Sequence, residues 1–356
     1  MNYSGETSIN FMVCVQCATF NHSTYIEDAM NGFCMQQTSF PFVCAIIDDA
    51  STDGEQNVIK NYLQAHFDLE DRSIFLNKET DDYILTIARH RTNHNCFFAV
   101  FFLKYNHFSI RKGNRKIDYI KRWIDNAKYI ALCEGDDYWT DSKKLQTQVD
   151  FLEKNNDYVM CYSGFYNVDE KKNLIYNEHY EWLMEQSKSG DILKKLLIRN
   201  FILTCTTIFR TNIYESFCHS HFSFGYDYTL FLHANIYGFS QFFPEKMSAY
   251  RHTSTGSMAT RKEALAICYH ETRLYFFNAI CEGKLPLDSK RLTNDTKKLI
   301  ATLCFFEDSE EYKNKYKDVL KHKVLWQYIP LLILKKIYAY LVTIKREKIT
   351  FSKKNT

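Results

Sequence analysis

Three short apolar runs each break abruptly into a polar loop, and no other feature of this chain restricts its fold as much. Ile9 to Thr19 (INFMVCVQCAT) is apolar or small almost throughout and ends at Phe20-Asn21-His22-Ser23. Phe42 to Ile47 (FVCAII) ends at Asp48-Asp49-Ala50-Ser51-Thr52-Asp53-Gly54, and Tyr129 to Cys133 (YIALC) runs straight into Glu134-Gly135-Asp136-Asp137. A short run without alternating polar positions suits a strand covered on both faces, as in a parallel sheet. Helical spacing lies between the first two runs and after the second. Thr24 to Met35 places Tyr25, Ile26, Ala29, Met30 and Phe33 on one face, with Ser23 as the expected N-cap and Glu27 and Asp28 in the early turns. Gln56 to His66 places Val58, Ile59 and Leu63 together. Strand, helix, strand, helix at this pitch means βαβ units: an α/β fold with a mostly parallel central sheet flanked by helices. Ligands of such sheets bind beyond the carboxyl ends of the strands, where these polar loops sit.

The remaining elements are read the same way. Ser73 to Leu76 is a candidate short strand, and Cys96 to Leu103 (CFFAVFFL) is a strand or a buried helix segment. Helices are expected over Ile117 to Ala127 and over Lys143 to Asn155, the latter with Leu145, Val149 and Leu152 as its apolar face. Tyr158 to Ser163 and Thr204 to Phe209 read as strands, and Tyr228 to Tyr237 as a helix closed by Gly238. Beyond about residue 260 the character changes to helices rich in Lys and Glu. The expected organisation is a catalytic domain over 1–260, divided into halves 1–140 and 141–260, and a helical C-terminal extension over 261–356.

Composition narrows the class. Of 356 residues, 46% are hydrophobic, enough for a substantial core, and a formal net charge of +3 does not favour nucleic acid as a partner. The twelve cysteines are scattered, many of them in apolar runs. Cys14 and Cys17 have C-x-x-C spacing, but residues three apart on a strand point to opposite faces and do not share a metal easily. Reduced core cysteines of a cytosolic protein are the expectation. The N-terminus has no basic region ahead of an apolar run, and no stretch reaches the roughly 18 uninterrupted apolar residues of a spanning helix. A cytoplasmic location is expected.

The chemistry concentrates in Glu134-Gly135-Asp136-Asp137. Three carboxylates crowded at the end of a buried strand repel one another unless something cationic offsets them. A hard divalent cation such as Mg²⁺ or Mn²⁺ takes oxygen ligands, typically one or two carboxylates completed by phosphate oxygens and water. Gly135 lets the backbone turn tightly. A solvated acidic turn is the alternative. Against it stand the apolar character of the preceding strand and the second carboxylate pair, Asp48-Asp49, at the end of a neighbouring strand.

Taken in order, these residues resemble the family 2 glycosyltransferases of the GT-A fold. Cys17-Ala18-Thr19-Phe20-Asn21 is similar to the family's P-T-Y-N, and Asp48 to Gly54 to its D-D-x-S-x-D-G. Tyr129 to Trp139 with Lys144-Leu145 resembles its strand, D-x-D-type motif and following helix. Gly225 to Leu232 resembles its E/G-D-W-x-L-x-L segment, and Tyr250-Arg251-His252 its Y-R-x-H. The likeness spans roughly residues 9 to 260. It implies that Phe20 stacks on the nucleotide base and that Asp49 hydrogen-bonds it, with Ala18, Asn21 and Ser51 on the same nucleotide-sugar side. It implies that Asp136 and Asp137, with Glu134, hold a divalent metal (Mn²⁺ or Mg²⁺) and the diphosphate, Asp137 as the direct ligand. Asp227 is implied as the general base, and Arg251 as a residue steadying the diphosphate or an acceptor loop. The chain departs from the pattern at Ala18, Phe20 and Glu134, and His252 lies one place before the family's histidine, where Thr253 stands.

The expected activity is transfer of a sugar, with inversion, from a nucleotide sugar (UDP foremost) to an acceptor hydroxyl of a glycan or lipid-linked glycan in cell-surface polysaccharide or glycolipid assembly. The aromatic neighbours Phe224, Tyr226, Tyr228 and Phe231 are expected to raise the basicity of Asp227; a simple N-cap is the alternative. A metal-dependent nucleotidyltransferase also uses paired carboxylates, but it usually carries a Gly-rich basic loop after the first strand, where this chain has Thr19-Phe20-Asn21-His22. A non-catalytic sugar-binding relative would not need Asp136, Asp137 and Asp227 together. Finally, Val324 to Ile344 is very apolar yet interrupted by Lys335 and Lys336 and followed by Lys345, Arg346 and Lys348. That pattern suits a helix lying on the inner face of the cytoplasmic membrane, or one packed on the domain.

Overall fold

A computed structural model describes residues 9–107, 116–198, 200–219 and 226–254, with Thr272 and Phe276. Two compact units divide the chain: Met1–Ile192, Phe201–Phe222 and Leu230–Lys262 form the first, and Leu193–Asn200, Ser223–Thr229 and Glu263–Thr356 the second. The expected C-terminal helices and the apolar segment 324–344 lie outside the described residues.

The chain begins β1 (Val13–Thr19), α1 (Ile26–Cys34), β2 (Phe42–Asp48), α2 (Glu55–His66), β3 (Phe67–Asp68), β4 (Leu76–Glu79), β5 (Tyr83–His90) and β6 (Cys96–Leu103). It continues through α3 (Lys116–Asp125), β7 (Tyr129–Leu132), β8 (Tyr138–Trp139), α4 (Lys144–Lys154), β9 (Tyr158–Val168) and α5 (Glu178–Gln186). There follow α6 (Leu193–Ile198), a 3₁₀ turn (Thr204–Thr206), β10 (Ile208–Arg210), α7 (Thr211–His219), α8 (Tyr226–Tyr237) and β11 (Phe239–Arg251). Helix α6 and the first turn of α8 belong to the second unit.

One mixed sheet organises the first unit, in the order β3-β5-β6-β2-β1-β7-β10-β9-β11-β8, with β4 paired to β5. Its centre, β6-β2-β1-β7, is parallel throughout. Every residue of β2, β6 and β7 is buried. The unbroken apolar runs are therefore strands covered on both faces, which settles Cys96–Leu103 as a strand. Cys14 and Cys17 are free, buried and part of this packing.

Several elements differ from expectation. Ser23 does not cap α1: the N-cap position is Tyr25, without a side-chain bond, and the Ser23 N–H donates to Asp53 Oδ2 at 2.9 Å. The short strand near residue 75 is Leu76–Glu79, the first half of a hairpin with β5. Thr204–Phe209 divides into a 3₁₀ turn and a three-residue strand. Strand β11 pairs with β9 through three register shifts, one at Phe239/Ser240 and two between Phe243 and Ser248, where Pro244 cannot donate to a ladder.

Helix α1 crosses closely over β8. A Cβ on Gly32 would stand 2.8 Å from the Trp139 amide nitrogen and 3.0 Å from its carbonyl oxygen. Glycine is thus required by the approach of the strand backbone. Trp139 fills the space beneath it, edge-on to Phe33, with its Nε1–H donating to the Cys205 carbonyl at 3.0 Å. The loop just ahead of Trp139 is thereby anchored from below.

Candidate nucleotide-sugar site

Because β2, β1 and β7 are adjacent and parallel, their carboxyl ends bring three loops side by side. The ladder continues past the strands: the Asp49 N–H donates to Thr19 O, and the Gly135 N–H to Ala18 O at 3.1 Å. The acidic loop can approach only because residue 135 is glycine; a Cβ there would meet Thr19 Oγ1 at 2.1 Å.

The first two loops are tied into one body. Asn21 takes a left-handed backbone (φ 56°); its N–H donates to Ser51 Oγ at 2.9 Å and its Oδ1 accepts from the Thr52 N–H at 2.8 Å. Ala50 is also left-handed, at φ 59°. For a residue with a Cβ that conformation costs roughly 1–2 kcal/mol. Glu55, fully buried at the start of α2, accepts from the Thr19 hydroxyl, from the His22 N–H at 2.9 Å and from Ser51 Oγ at 2.7 Å. Its position at the helix N-terminus adds a favourable dipole interaction.

On this frame Phe20 is 40% exposed, a large aromatic face offered to solvent at the end of β1. Ala18 is half-buried in the strand behind it. Asp48 and Asp49 are both buried, and they differ in what they do. Asp48 accepts from the Ser51 N–H and from Gln56 Nε2, and burial pushes its carboxyl up. Asp49 Oδ1 accepts from the His107 N–H at 2.8 Å.

In the acidic loop the two aspartates also diverge. Asp137 is 4% exposed; its Oδ1 accepts from the Arg251 N–H at 2.8 Å, and the Cys205 thiol donates to it. Burial first, and then the negative charge of Asp136, push the Asp137 carboxyl well above the ordinary carboxylate range. Asp136 keeps 21% of its side chain exposed and faces His22 Nε2, with Oδ2 at 3.8 Å. Glu134 is half-buried. The open carboxylate of the pair is thus Asp136, whereas Asp137, expected from the resemblance as the direct metal ligand, is turned into the protein. Two neighbouring carboxylates, one of them held above its normal pKa by burial and then by the other, form an oxygen donor set that suits a divalent cation. Among the described residues no group of three or more His, Cys, Asp or Glu side chains is arranged to enclose a metal on its own. A cation here would therefore draw further ligands from elsewhere.

Arg251 stands below this loop with no side-chain exposure. Its guanidinium is sandwiched between the rings of Tyr25 (4.7 Å) and Tyr138 (5.1 Å), and Nη2 donates to Asp28 Oδ2 at 2.7 Å. Asp28 also pairs with Lys172 at 2.5 Å. The resemblance implies that Arg251 steadies the diphosphate or an acceptor loop; in the structure its guanidinium is enclosed and joins α1, through Asp28, to the acidic loop, through its N–H on Asp137. His252 is engaged elsewhere, with Nε2 against Asn167 Oδ1 at 2.5 Å and its ring against Tyr180 and Tyr250. Asp227 is exposed in the first turn of α8 and falls in the second unit. Its exposure removes the expectation that its aromatic neighbours desolvate it.

Sequence reading passed over Thr19, His22, Glu55 and Asp28. His22 and Glu55 were detectable, because each directly follows a turn residue at the end of a buried strand or the start of a helix. The Asp28–Arg251 pair, 223 positions apart, left no local signal.

No protein-family model matches the chain. An uncharacterized protein of Mycobacterium tuberculosis is 27% identical over 194 residues, which cover 54% of this chain and 45% of that protein. An uncharacterized protein of Mycobacterium bovis matches to the same extent. The chain spans less than half the length of the curated relatives it matches. Among solved structures, the mannosyltransferase PcManGT of Pyrobaculum calidifontis, in complex with GDP-Man and Mn²⁺, aligns with a TM-score of 0.47 at 12% identity, covering 93% of this chain and 86% of that one. S. aureus TarS, residues 1–349 in complex with UDP-GlcNAc, aligns with a TM-score of 0.52 at 14% identity, covering 90% of this chain and 78% of that one. The mixed α/β sheet described above is thus a fold shared with a protein that holds a sugar nucleotide.

Proposed function

We propose that this chain is an inverting, metal-dependent glycosyltransferase that moves a sugar from a nucleotide sugar, UDP-linked sugars foremost, to an acceptor hydroxyl in cell-surface polysaccharide or glycolipid assembly. The observation that carries this reading is the meeting of three loops at the carboxyl ends of β2, β1 and β7. They align an exposed aromatic ring, a buried carboxylate and a paired carboxylate along one edge of a parallel sheet. The shared fold with UDP-GlcNAc-bound TarS supports it.

In this reading Phe20 stacks on the base and Asp49 orients it, while Asn21 and Ser51 hold the loop that carries them and Ala18 leaves room beside it. Asp136, with Glu134, holds the divalent cation. Asp137 supports the loop from within, and Arg251 positions it through the Asp137 carboxylate. A divalent cation bound there would neutralise the charge that develops on the departing diphosphate. Asp227 takes the proton of the attacking hydroxyl, and attack on the face opposite the leaving group inverts the anomeric centre. The reading also places the apolar, Lys-interrupted segment 324–344 at the inner membrane surface beside a lipid-linked acceptor. Among the described residues no helix is long and apolar enough to cross a membrane.

Turnover of a panel of UDP-sugars, followed as UDP release with Mn²⁺ and glycan acceptors, tests the activity. Asp227→Asn is expected to lower kcat by about 10²–10⁴ while UDP affinity stays unchanged, the loss typical of a missing general base. Full turnover in that variant contradicts the base assignment.

A further inference from the structure

We propose that His22 is a ligand of the divalent cation beside Asp136, and that its imidazole nitrogen makes the site favour a transition ion such as Mn²⁺ or Co²⁺ over Mg²⁺. The inference rests on the glycosyltransferase reading and adds a residue that neither the acidic motif nor the resemblance assigns.

Hydrogen-bond accounting fixes the tautomer. The Thr19 hydroxyl has one proton, and it goes to Glu55 Oε1. Towards His22 Nδ1, 3.2 Å away, the same oxygen can only accept, so Nδ1 carries hydrogen. With hydrogen on Nδ1, the nitrogen left to bind a metal is Nε2. The backbone leaves the ring little freedom. The His22 N–H is held by Glu55 Oε2 at 2.9 Å, and its carbonyl accepts from the N–H groups of Tyr25 and Ile26 at 2.8 and 2.9 Å. Gly135 packs against Thr19, so the hydroxyl that sets the tautomer is itself confined.

That nitrogen faces Asp136 Oδ2 across 3.8 Å. The distance exceeds the roughly 2.7–2.9 Å of a charge-assisted N–H···O bond, so no hydrogen bond closes the gap. With both side chains about one-fifth exposed, the space between Nε2 and Oδ2 is open to a divalent cation that would join them. The Glu55–Thr19–His22 chain behind the ring follows the usual pattern in which a metal-bound histidine donates its other N–H to a carboxylate-backed group. Two protein ligands suffice where nucleotide phosphates complete the shell. Of the other histidines, His252 has Nε2 occupied by Asn167 and is not available. Nitrogen donors favour first-row transition ions, whereas Mg²⁺ prefers an all-oxygen shell.

The test is Mn²⁺ binding to the full chain with UDP present, read from the electron paramagnetic resonance signal of free Mn²⁺ and repeated in competition with Mg²⁺. In His22→Gln the Kd for Mn²⁺ is expected to rise tenfold or more and the preference for Mn²⁺ over Mg²⁺ to disappear. A His22→Gln protein that keeps the wild-type Mn²⁺ affinity and selectivity, while Asp136→Asn loses them, overturns the inference and leaves the glycosyltransferase reading standing. Wild-type protein whose UDP binding ignores Mn²⁺ overturns both. A second measurement needs no variant: in histidine-labelled wild-type protein with UDP, substoichiometric Mn²⁺ should broaden the His22 ring signals. Unbroadened His22 signals contradict the proposal.

Discussion

Raising the pH from 9 to 10 should remove about 6 kcal/mol of this protein's stability. Among the described residues seven thiols are buried: Cys14, Cys17, Cys44, Cys96, Cys133, Cys161 and Cys205. Burial pushes Cys44 up to about 11 and Cys14 up to about 12, and drives the other five well above the ordinary value of 9.0. Folded thiols keep protons that unfolded ones release, so the unfolded state binds fewer protons and stability falls as pH climbs above 9. Over that one unit each thiol withdraws about 1 kcal/mol, and the seven together about 7 kcal/mol. Lys144 works in the opposite direction. It is buried against Trp139, with Nζ donating to Gln148 Oε1 at 2.7 Å, and burial lowers its pKa to about 8 from 10.5. Its unfolded form therefore binds more protons between those values and returns about 1 kcal/mol per unit. Buried Tyr129 and Tyr162, both raised by desolvation, add to the loss. The net fall of about 6 kcal/mol is comparable with the whole stability of a typical domain, about 5–15 kcal/mol. Urea unfolding under reducing conditions, followed by tryptophan fluorescence at pH 8, 9 and 10, measures it. A free energy constant to within about 1 kcal/mol from pH 9 to 10 would refute the reasoning, since the thiols would then ionise alike in both states.

Three further predictions concern the frame of the site. Gly32→Ala should destabilise by roughly 1–2 kcal/mol: the helix-propensity gain of about 1 kcal/mol is outweighed by overpacking against the Trp139 backbone. A raised melting temperature would contradict the close approach of α1 to β8. Ala50→Gly should stabilise by about 0.5–1 kcal/mol, because it relieves a left-handed backbone at a modest entropic cost; a loss in chemical denaturation would refute that. Phe20→Ala should weaken UDP binding by about tenfold, within the roughly 1–3 kcal/mol that base–aromatic stacking supplies, without lowering the melting temperature. Unchanged affinity would place the base elsewhere.

The parallel centre of the sheet was legible because its strands have no polar face: FVCAII and YIALC could hardly be anything else next to helical repeats. The outer strands were not. Strand β5 (YILTIARH) alternates only loosely, since it lies towards the edge and is largely half-exposed. Strand β11 carries Pro244, Glu245 and Lys246 in its middle, where the register slips and the strand tolerates residues that a central strand would reject. Within the site, the acidic loop and the Asp49 loop were marked by their own residues. Which of Asp136 and Asp137 is open to solvent was not, because that depends on Arg251 and Cys205, which reach Asp137 from distant parts of the chain. The tautomer of His22 likewise depends on Glu55, 33 positions away.

The most direct test of the proposed function is calorimetric titration of the full chain with UDP, with and without Mn²⁺, on the wild-type protein and on Asp136→Asn. UDP binding that requires Mn²⁺ and is lost in Asp136→Asn is the predicted result. Absence of UDP binding under both conditions, or equal binding in the variant, would contradict it.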